Sequence, residues 1–123
     1  MQNARIFLVE DNKNDANILK KLLDIREHSV VVEAVNLESA LQMISEGQLE
    51  KLRVNVAIID GMFPDCVGGL FHFNGPIVAE AIRKTGLQIK IIACSGDNPK
   101  YGDLNFPKTV KGSGPMIDAI DLL

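Results

Sequence analysis

Three carboxylates stand where apolar segments of the chain end. Glu10 and Asp11 follow the segment IFLV, and Asp60 ends the segment VAIID. Carboxylates that lie close together repel one another, and their pKa values rise unless a cation is present. An all-oxygen, strongly anionic site suits a hard ion such as Mg²⁺, which proteins usually hold through one or two carboxylates and several waters. If the fold brings the three acids together, the sequence therefore predicts a magnesium site.

A hydroxyl and an ammonium group stand at two further segment ends. Ser95 follows the apolar segment KIIAC, and a lysine, Lys108 or Lys111, lies at the last segment. Beside a metal ion that binds phosphoryl oxygens, one carboxylate can act as a nucleophile and form an acyl phosphate. Asp60 is the best candidate because it ends a central strand. The lysine and the hydroxyl would then bind other phosphoryl oxygens.

Short apolar segments alternate with stripes of apolar residues at helical spacing, and this order predicts how the candidate residues are positioned. The strand-length segments are Ile6–Val9, Val30–Val35, Val54–Ile59 and Lys90–Cys94, followed by the weaker NFPKTVK. The alternation predicts a doubly wound α/β fold with a five-stranded parallel sheet covered on both faces. In the strand order 2-1-3-4-5, the ends of strands 1, 3, 4 and 5 converge on one crevice.

Composition limits the class of protein. A chain of 123 residues with 46% hydrophobic content predicts one domain, spanning residues 1–123, with a single core. The basic residues are scattered and the formal net charge is −3, so we expect neither nucleic acid nor a membrane as a partner. The N-terminus lacks the long apolar region of a signal peptide, and the two cysteines lack a metal-binding spacing. We expect a cytoplasmic protein with free thiols.

Four segments together resemble the receiver domain of bacterial two-component response regulators. They are VEDNKNDANILKKLL, VAIIDGMFPD, IIACSG and TVKG, and their order and spacing cover essentially the whole chain. The resemblance implies a flavodoxin-like fold with Mg²⁺ as the cofactor. It also implies that Glu10 and Asp11 are the acidic metal-binding pair. Asp60 would be the phosphoacceptor.

The same resemblance assigns three further residues. It implies that the backbone carbonyl of Met62 is a metal ligand and that Ser95 supplies the switch hydroxyl. Lys111 corresponds to the lysine that follows an apolar residue in strand 5. Gly112 stands after it where the family usually has a proline, so the turn is expected to take a different shape.

An insertion separates Asp60 from the third helix. The segment Asp65–Gly75 is expected to form an extended loop beside the site. Its apolar side chains, Leu70, Phe71 and Phe73, either fold down as a cover or form an apolar docking patch.

The region around strand 5 also departs from the family pattern. Only Gly96–Asn105 separates Ser95 from this strand, and its Gly and Pro residues predict a shortened or missing fourth helix. Pro107 suits only an edge strand. The family commonly has an aromatic residue where Lys108 stands, and strand alternation places Lys108 on the same side as the apolar Phe106 and Val110.

Three function classes fit these residues. The first is a phosphoacceptor module that takes its phosphoryl group from a sensor histidine kinase or a histidine phosphotransfer protein and signals through an unknown downstream protein. Such a module catalyses only its own modification and dephosphorylation. The second is a receiver-like protein-binding module that acts without phosphorylation. The third is a small hydrolase, although Met62 stands where the common phosphatase pattern has a second acid. The intact Glu10, Asp11 and Asp60 favour the first.

Overall fold

The computed structural model describes residues 1–96, 99–108 and 113–123. Its strands are β1 (Arg5–Val9), β2 (Ser29–Ala34), β3 (Val56–Asp60), β4 (Met62–Pro64), β5 (Phe71–Phe73), β6 (Lys90–Ser95) and β7 (Leu104–Pro107). Its helices are α1 (Lys13–Ile25), α2 (Leu37–Ser45), α3 (Gln48–Lys51), α4 (Gly75–Lys84) and α5 (Gly114–Leu122). The helices therefore alternate with the long strands along the chain, and two short strands are inserted between β3 and α4.

Five strands form the main sheet in the order β2-β1-β3-β6-β7, and each neighbouring pair is parallel. Counting only these strands, the order is the predicted 2-1-3-4-5 order of a doubly wound, flavodoxin-like fold, so the fold class is confirmed. Every residue of β3 is buried, as expected for a central strand that is covered on both faces. The ends of β1, β3, β6 and β7 meet at one side of the sheet, which we call the carboxyl edge.

Helices cover both faces of this sheet. The helices α1 and α5 cover the face that carries Ile6 and Leu8 of β1. The helices α2, α3 and α4 cover the opposite face, which carries Phe7 and Val9. Alternation of side chains along β1 thus supplies two separate cores. None of the described helices is long and apolar enough to cross a membrane.

The start of α1 is held by an asparagine cap. The side-chain oxygen of Asn12 accepts a hydrogen bond from the Asp15 backbone N–H at 3.1 Å, which satisfies one of the free donors of the first helical turn. Because Asn12 directly follows Glu10 and Asp11, this cap also sets the path by which the chain leaves the end of β1.

The connection from β6 to β7 is short, and its described part, Gly96 and residues 99–103, contains no helix. This agrees with the predicted shortening or loss of the fourth helix of the family pattern. A hydrogen bond ties this connection to the sheet. The Asp103 carboxylate accepts it from the Ile91 backbone N–H at 2.8 Å. The strand β7 ends at Pro107, a residue that an edge strand tolerates.

The insertion after β3 differs from the expectation of an extended loop over Asp65–Gly75. The strands β4 and β5 pair antiparallel and form a separate two-stranded hairpin. Its apolar residues Leu70, Phe71 and Phe73 remain 74%, 55% and 52% exposed, so of the two alternatives they do not fold down as a closed cover. The alternative of a docking patch stays a prediction. The fully buried residue of the hairpin is Phe63. Strands of three residues are too short to show their alternation in the sequence.

Candidate functional site

The fold brings the three predicted carboxylates together at the carboxyl edge. Glu10 and Asp11 follow β1, and Asp60 is the last residue of its neighbour β3. One carboxylate oxygen from each residue can be chosen so that all three lie within 4.8 Å of one another. The three side chains could therefore hold a metal ion, as the sequence suggested.

The Glu10 carboxylate is buried and binds two donors. Its Oε1 accepts a hydrogen bond from the Asn12 backbone N–H at 3.1 Å. Its Oε2 accepts one from the Lys108 ammonium at 2.9 Å. Burial raises the pKa of Glu10, and the negative charge of Asp60 raises it further, whereas the bond from Lys108 opposes both effects.

The Asp60 carboxylate is also buried, at 8% exposure. Its Oδ1 accepts a hydrogen bond from the Gly61 backbone N–H at 2.8 Å. Its Oδ2 lies 3.1 Å from the Lys108 ammonium. Burial raises the pKa of Asp60, and the charge of Asp11 adds to this rise, while Lys108 and the Gly61 N–H act against it. Two buried carboxylates thus share one ammonium group, which leaves the cluster short of positive charge.

The lysine of the site is Lys108 in the described part of the chain. The sequence predicted that its side chain would lie among apolar groups, but its Nζ lies between the carboxylates of Glu10 and Asp60. Its backbone N–H donates to the Ser95 carbonyl at 2.6 Å, so the residue is held where β7 leaves the sheet. Burial lowers the pKa of Lys108, but the hydrogen bond that its ammonium donates to Glu10 and the negative charges of Asp60 and Glu10 outweigh this effect and raise it. Lys111 lies outside the described residues, so its assignment stays a prediction.

Ser95 and Met62 lie beside this cluster. Ser95 ends β6 and is buried. Its Oγ lies 2.5 Å from the point that a Cβ on Gly61 would occupy, which places the hydroxyl next to the residue that follows Asp60. Met62 begins β4 and its side chain is half exposed. The role of its carbonyl as a metal ligand stays a prediction.

Tyr101 is a residue of this region that the sequence patterns did not single out. It is buried on the β6–β7 connection, and its hydroxyl donates to the Ile59 carbonyl at 2.7 Å. Burial is the main cause of its raised pKa. A Cβ on Gly75 would lie 2.8 Å from the Tyr101 ring, so α4 can start this close only with glycine at that position. The signal in the sequence was the single tyrosine of the chain within a Gly- and Pro-containing segment.

Residues of the candidate site also line a cleft of about 500 Å³ between α1 and α5. Apolar side chains, among them Ile18, Leu19 and Met116, form part of its wall, and Asp60 and Lys108 contribute to its lining. The cluster can thus be approached from the α1 side. A small molecule that enters this cleft could therefore reach Asp60.

No protein-family model matches the sequence. No curated protein matches it either.

Several solved structures share the fold at low sequence identity. The signal receiver domain of a putative Luxo repressor protein from Vibrio parahaemolyticus has a TM-score of 0.74 at 15% identity, covering 99% of this chain and 89% of that one. The receiver domain of the histidine kinase CKI1 from Arabidopsis thaliana, complexed with Mg²⁺ and BeF₃⁻, has a TM-score of 0.70 at 18% identity, covering 98% and 89%. A structure of the P1 domain of CheA3 in complex with CheY6 from R. sphaeroides has a TM-score of 0.68 at 17% identity, covering 100% and 98%. The chain therefore has the fold of a response-regulator receiver domain.

Proposed function

We propose that the protein is a phosphoacceptor receiver domain that accepts a phosphoryl group on Asp60 in the presence of Mg²⁺ and signals by binding a partner protein. The observation that carries this proposal is the cluster at the carboxyl edge. Three carboxylates each have an oxygen within 4.8 Å of the other two, and only one ammonium group, that of Lys108, pairs with two of them, Glu10 and Asp60. A cluster with this excess of negative charge is suited to bind a cation and, beside it, an anionic phosphoryl group.

The donor set fits Mg²⁺ and not a softer metal. Glu10, Asp11 and Asp60 offer only carboxylate oxygens, which hard divalent cations prefer. When bound, Mg²⁺ would neutralise part of the negative charge and attract phosphoryl oxygens. The burial and the neighbouring negative charges that raise the pKa values of Glu10 and Asp60 also favour a bound cation, because a cation offsets the repulsion between the carboxylates.

Asp60 is the proposed nucleophile. Its Oδ1 is occupied by the Gly61 N–H, whereas its Oδ2 faces the ammonium of Lys108. A carboxylate oxygen of Asp60 would attack phosphorus, and the bond from phosphorus to the leaving group of the donor would break. The leaving group departs with the electron pair and takes a proton from solvent. The Lys108 ammonium and the Ser95 hydroxyl would then bind the oxygens of the transferred group.

The proposed phosphodonor is a phosphohistidine of a sensor histidine kinase or a histidine phosphotransfer protein. A neighbouring structure in the same fold, CheY6, is in complex with the P1 domain of CheA3, which supports a partner of this class. In this proposal the protein is cytoplasmic and catalyses only its own phosphorylation and dephosphorylation. Its output is the binding of a downstream protein.

The test uses a small phosphodonor that needs no kinase. Incubation with acetyl phosphate and Mg²⁺ should add the mass of one phosphoryl group to the intact protein. Asp60→Asn should remove this addition, because an amide is a far poorer nucleophile than a carboxylate. Asp24→Asn, which alters an exposed acid of α1, serves as the matched control and should be modified as the wild type is. Wild-type protein that stays unmodified at saturating donor would refute the proposal.

One observation favours a second candidate, a receiver-like binding module that acts without phosphorylation. Lys108 already lies within 3.1 Å of both Glu10 and Asp60, so the cluster can be partly neutralised by the chain itself. If this pairing replaced the metal, Mg²⁺ would leave the melting temperature unchanged and acetyl phosphate would add no mass. Both results together would support this second candidate.

A further inference from the structure

The hairpin of β4 and β5 has one apolar face that points away from the core. Cross-strand neighbours of an antiparallel pair share a face, and Met62 pairs with Phe73 while Pro64 pairs with Phe71. These four residues form what we call the outer face of the hairpin. Phe63 alternates to the opposite side and is fully buried, which anchors the hairpin to the body of the protein.

The hairpin is braced at both ends by hydrogen bonds. The buried Asn74 side chain donates to the Phe63 carbonyl and to the Asp65 carboxylate, both at 2.9 Å. The Asp65 carboxylate is also bonded to the His72 ring at 2.8 Å. At the base, the Gly75 backbone N–H donates to the Gly61 carbonyl at 3.0 Å. A hairpin held in this way can transmit a displacement at its base to its outer face.

One residue of the outer face also contacts the candidate site. A Cβ on Gly61 would lie 2.9 Å from the Phe73 ring atom Cε1 and 2.5 Å from Ser95 Oγ. The ring and the hydroxyl thus share the space above the glycine that follows Asp60. The Phe73 ring also packs edge-on against Tyr101, with centroids 5.7 Å apart at an angle of 77°.

The second aromatic ring is itself tied to the strand that carries the nucleophile. The Tyr101 hydroxyl is bonded to the carbonyl of Ile59, the residue before Asp60. Its own carbonyl accepts a hydrogen bond from Arg83 of α4 at 2.7 Å. Phe73 therefore has two neighbours at its base, the Ser95 hydroxyl across Gly61 and a firmly held tyrosine, although about half of its side chain stays exposed. A rotation of the Ser95 side chain would change the space open to the buried part of the Phe73 ring.

We propose that Phe73 couples the Ser95 hydroxyl to the outer face of the hairpin, so that this face changes with the state of Asp60. The coupling rests on the proposed function, because it needs an anionic group on Asp60 that accepts a hydrogen bond from Ser95. Once the Ser95 hydroxyl is held in a single rotamer, the Phe73 ring above Gly61 packs against one arrangement of Ser95 instead of several. The hairpin should then open less often. Phe73 is thus a positioning residue, and the outer face is the surface whose mobility depends on whether Asp60 is modified.

The test measures amide hydrogen exchange over residues 62–73 with and without Mg²⁺ and beryllofluoride, a phosphoryl mimic. Fluorine NMR of bound beryllofluoride reports occupancy of the site separately. In the wild type we expect exchange to slow at least threefold in the occupied state. Phe73→Leu should bind the mimic and lose this slowing.

Phe71→Leu is the matched control. Phe71 lies on the same strand and the same face with nearly the same exposure, 55% against 52%, but pairs with Pro64 at the far end of the hairpin. It should keep the slowing. If Phe73→Leu does not fold, Ser95→Ala carries the test, because it removes the hydroxyl and leaves the ring in place, and it should also lose the slowing.

Two results would overturn the inference, and they differ. Bound beryllofluoride with unchanged exchange over residues 62–73 would refute the coupling and leave the proposed function standing. Equal loss of the slowing in Phe71→Leu and Phe73→Leu would refute the specific role of Phe73. If the wild type binds no beryllofluoride at all, the proposed function fails and the coupling fails with it.

Discussion

Two polar clusters lie at opposite ends of the main sheet, and they are built on different principles. At the amino end, the buried His28 accepts a hydrogen bond from the Ala4 backbone N–H at 3.0 Å on Nδ1 and is bonded to Asp121 at 2.7 Å through Nε2. Because a backbone N–H is always a donor, Nδ1 must be the acceptor, and Nε2 carries the proton. Arg26 is bonded to the same carboxylate. Every polar group of this cluster has a partner.

The cluster at the carboxyl edge has a surplus of negative charge instead. Its two buried carboxylates, Glu10 and Asp60, have raised pKa values because burial disfavours their charged forms. The pKa of Asp121 at the amino end is lowered, chiefly by its bond to His28. The difference teaches that buried polar groups stabilise the fold at the amino end, whereas at the candidate site buried charges lower its stability, as is typical of functional sites.

The largest expected effect tests the amino end. His28→Ala removes the acceptor of the buried Ala4 N–H, leaves the Asp121 bond unmade and opens a cavity, so we expect a loss of about 3 kcal/mol in the free energy of unfolding. His72→Ala is the matched control, since His72 makes a similar 2.8 Å bond to Asp65 at an exposed position. Its loss should stay below about 1 kcal/mol. Urea denaturation measures both, and equal losses would remove the contrast between the clusters.

The second effect concerns the lysine of the carboxyl edge. Lys108→Gln should weaken beryllofluoride binding about 100-fold, which corresponds to roughly 2.7 kcal/mol for a lost charge-assisted hydrogen bond. The same change should strengthen Mg²⁺ binding, because the cluster becomes more negative. Titration of both ligands against Lys108→Gln and Lys111→Gln checks this. A larger loss of beryllofluoride binding in Lys111→Gln would assign the phosphoryl-binding role to Lys111, as the family resemblance implies.

A smaller effect is expected at Asp11, the less buried member of the acidic pair. Asp11→Asn should weaken Mg²⁺ binding about tenfold, or roughly 1.4 kcal/mol, because one of three carboxylates is removed. Without metal, the variant should be slightly more stable than the wild type, since the charge of Asp11 acts against the ionised Asp60. Thermal melts with and without Mg²⁺ measure both changes. An equal upward shift with Mg²⁺ in variant and wild type would exclude Asp11 as a ligand.

The smallest effect is a difference in pH dependence, measured in chelator. The pKa of Glu10 is raised above its ordinary value of 4.5, so the folded state binds its proton first. The wild type should therefore gain stability relative to Glu10→Gln as the pH falls from 7 towards 4.5. The pKa of Asp121 is lowered below its ordinary value of 3.8, so its contribution is present above that pH and is lost only below it. Asp121→Asn should accordingly differ from the wild type by a constant amount between pH 7 and about 4.5.

Parallel trends for Glu10→Gln and Asp121→Asn over that range would contradict the assignment of opposite roles to the two clusters. A gain in stability at falling pH that occurs in the wild type and in neither variant would also contradict this assignment. Melting temperatures at half-unit pH intervals are sufficient to separate these outcomes.

Much of the main sheet could be predicted from the sequence, because its strands are marked by local patterns. The apolar run IFLV has side chains for both faces, and only a central strand buries both. The acids after β1 and β3 meet because parallel neighbours end at the same edge. The hairpin could not be predicted in the same way. Its three-residue strands are stabilised by each other and by Asn74, and neither contact is visible in a local pattern.

The sequence by itself determined the fold class and predicted the meeting of Glu10, Asp11 and Asp60, because apolar strand segments that alternate with helical stripes indicate a parallel sheet whose neighbouring strands end at one edge. The tertiary structure decided which side chains complete the site. Lys108 reaches the carboxylates because β7 ends at Pro107, so strand alternation no longer sets the direction of its side chain and two buried acids attract its ammonium group. Phe73 and Ser95 both approach Gly61 closely because this glycine has no Cβ, which would lie 2.9 Å from the Phe73 ring and 2.5 Å from the Ser95 hydroxyl. Such contacts depend on distances between segments far apart in the chain, and no spacing within one segment encodes them.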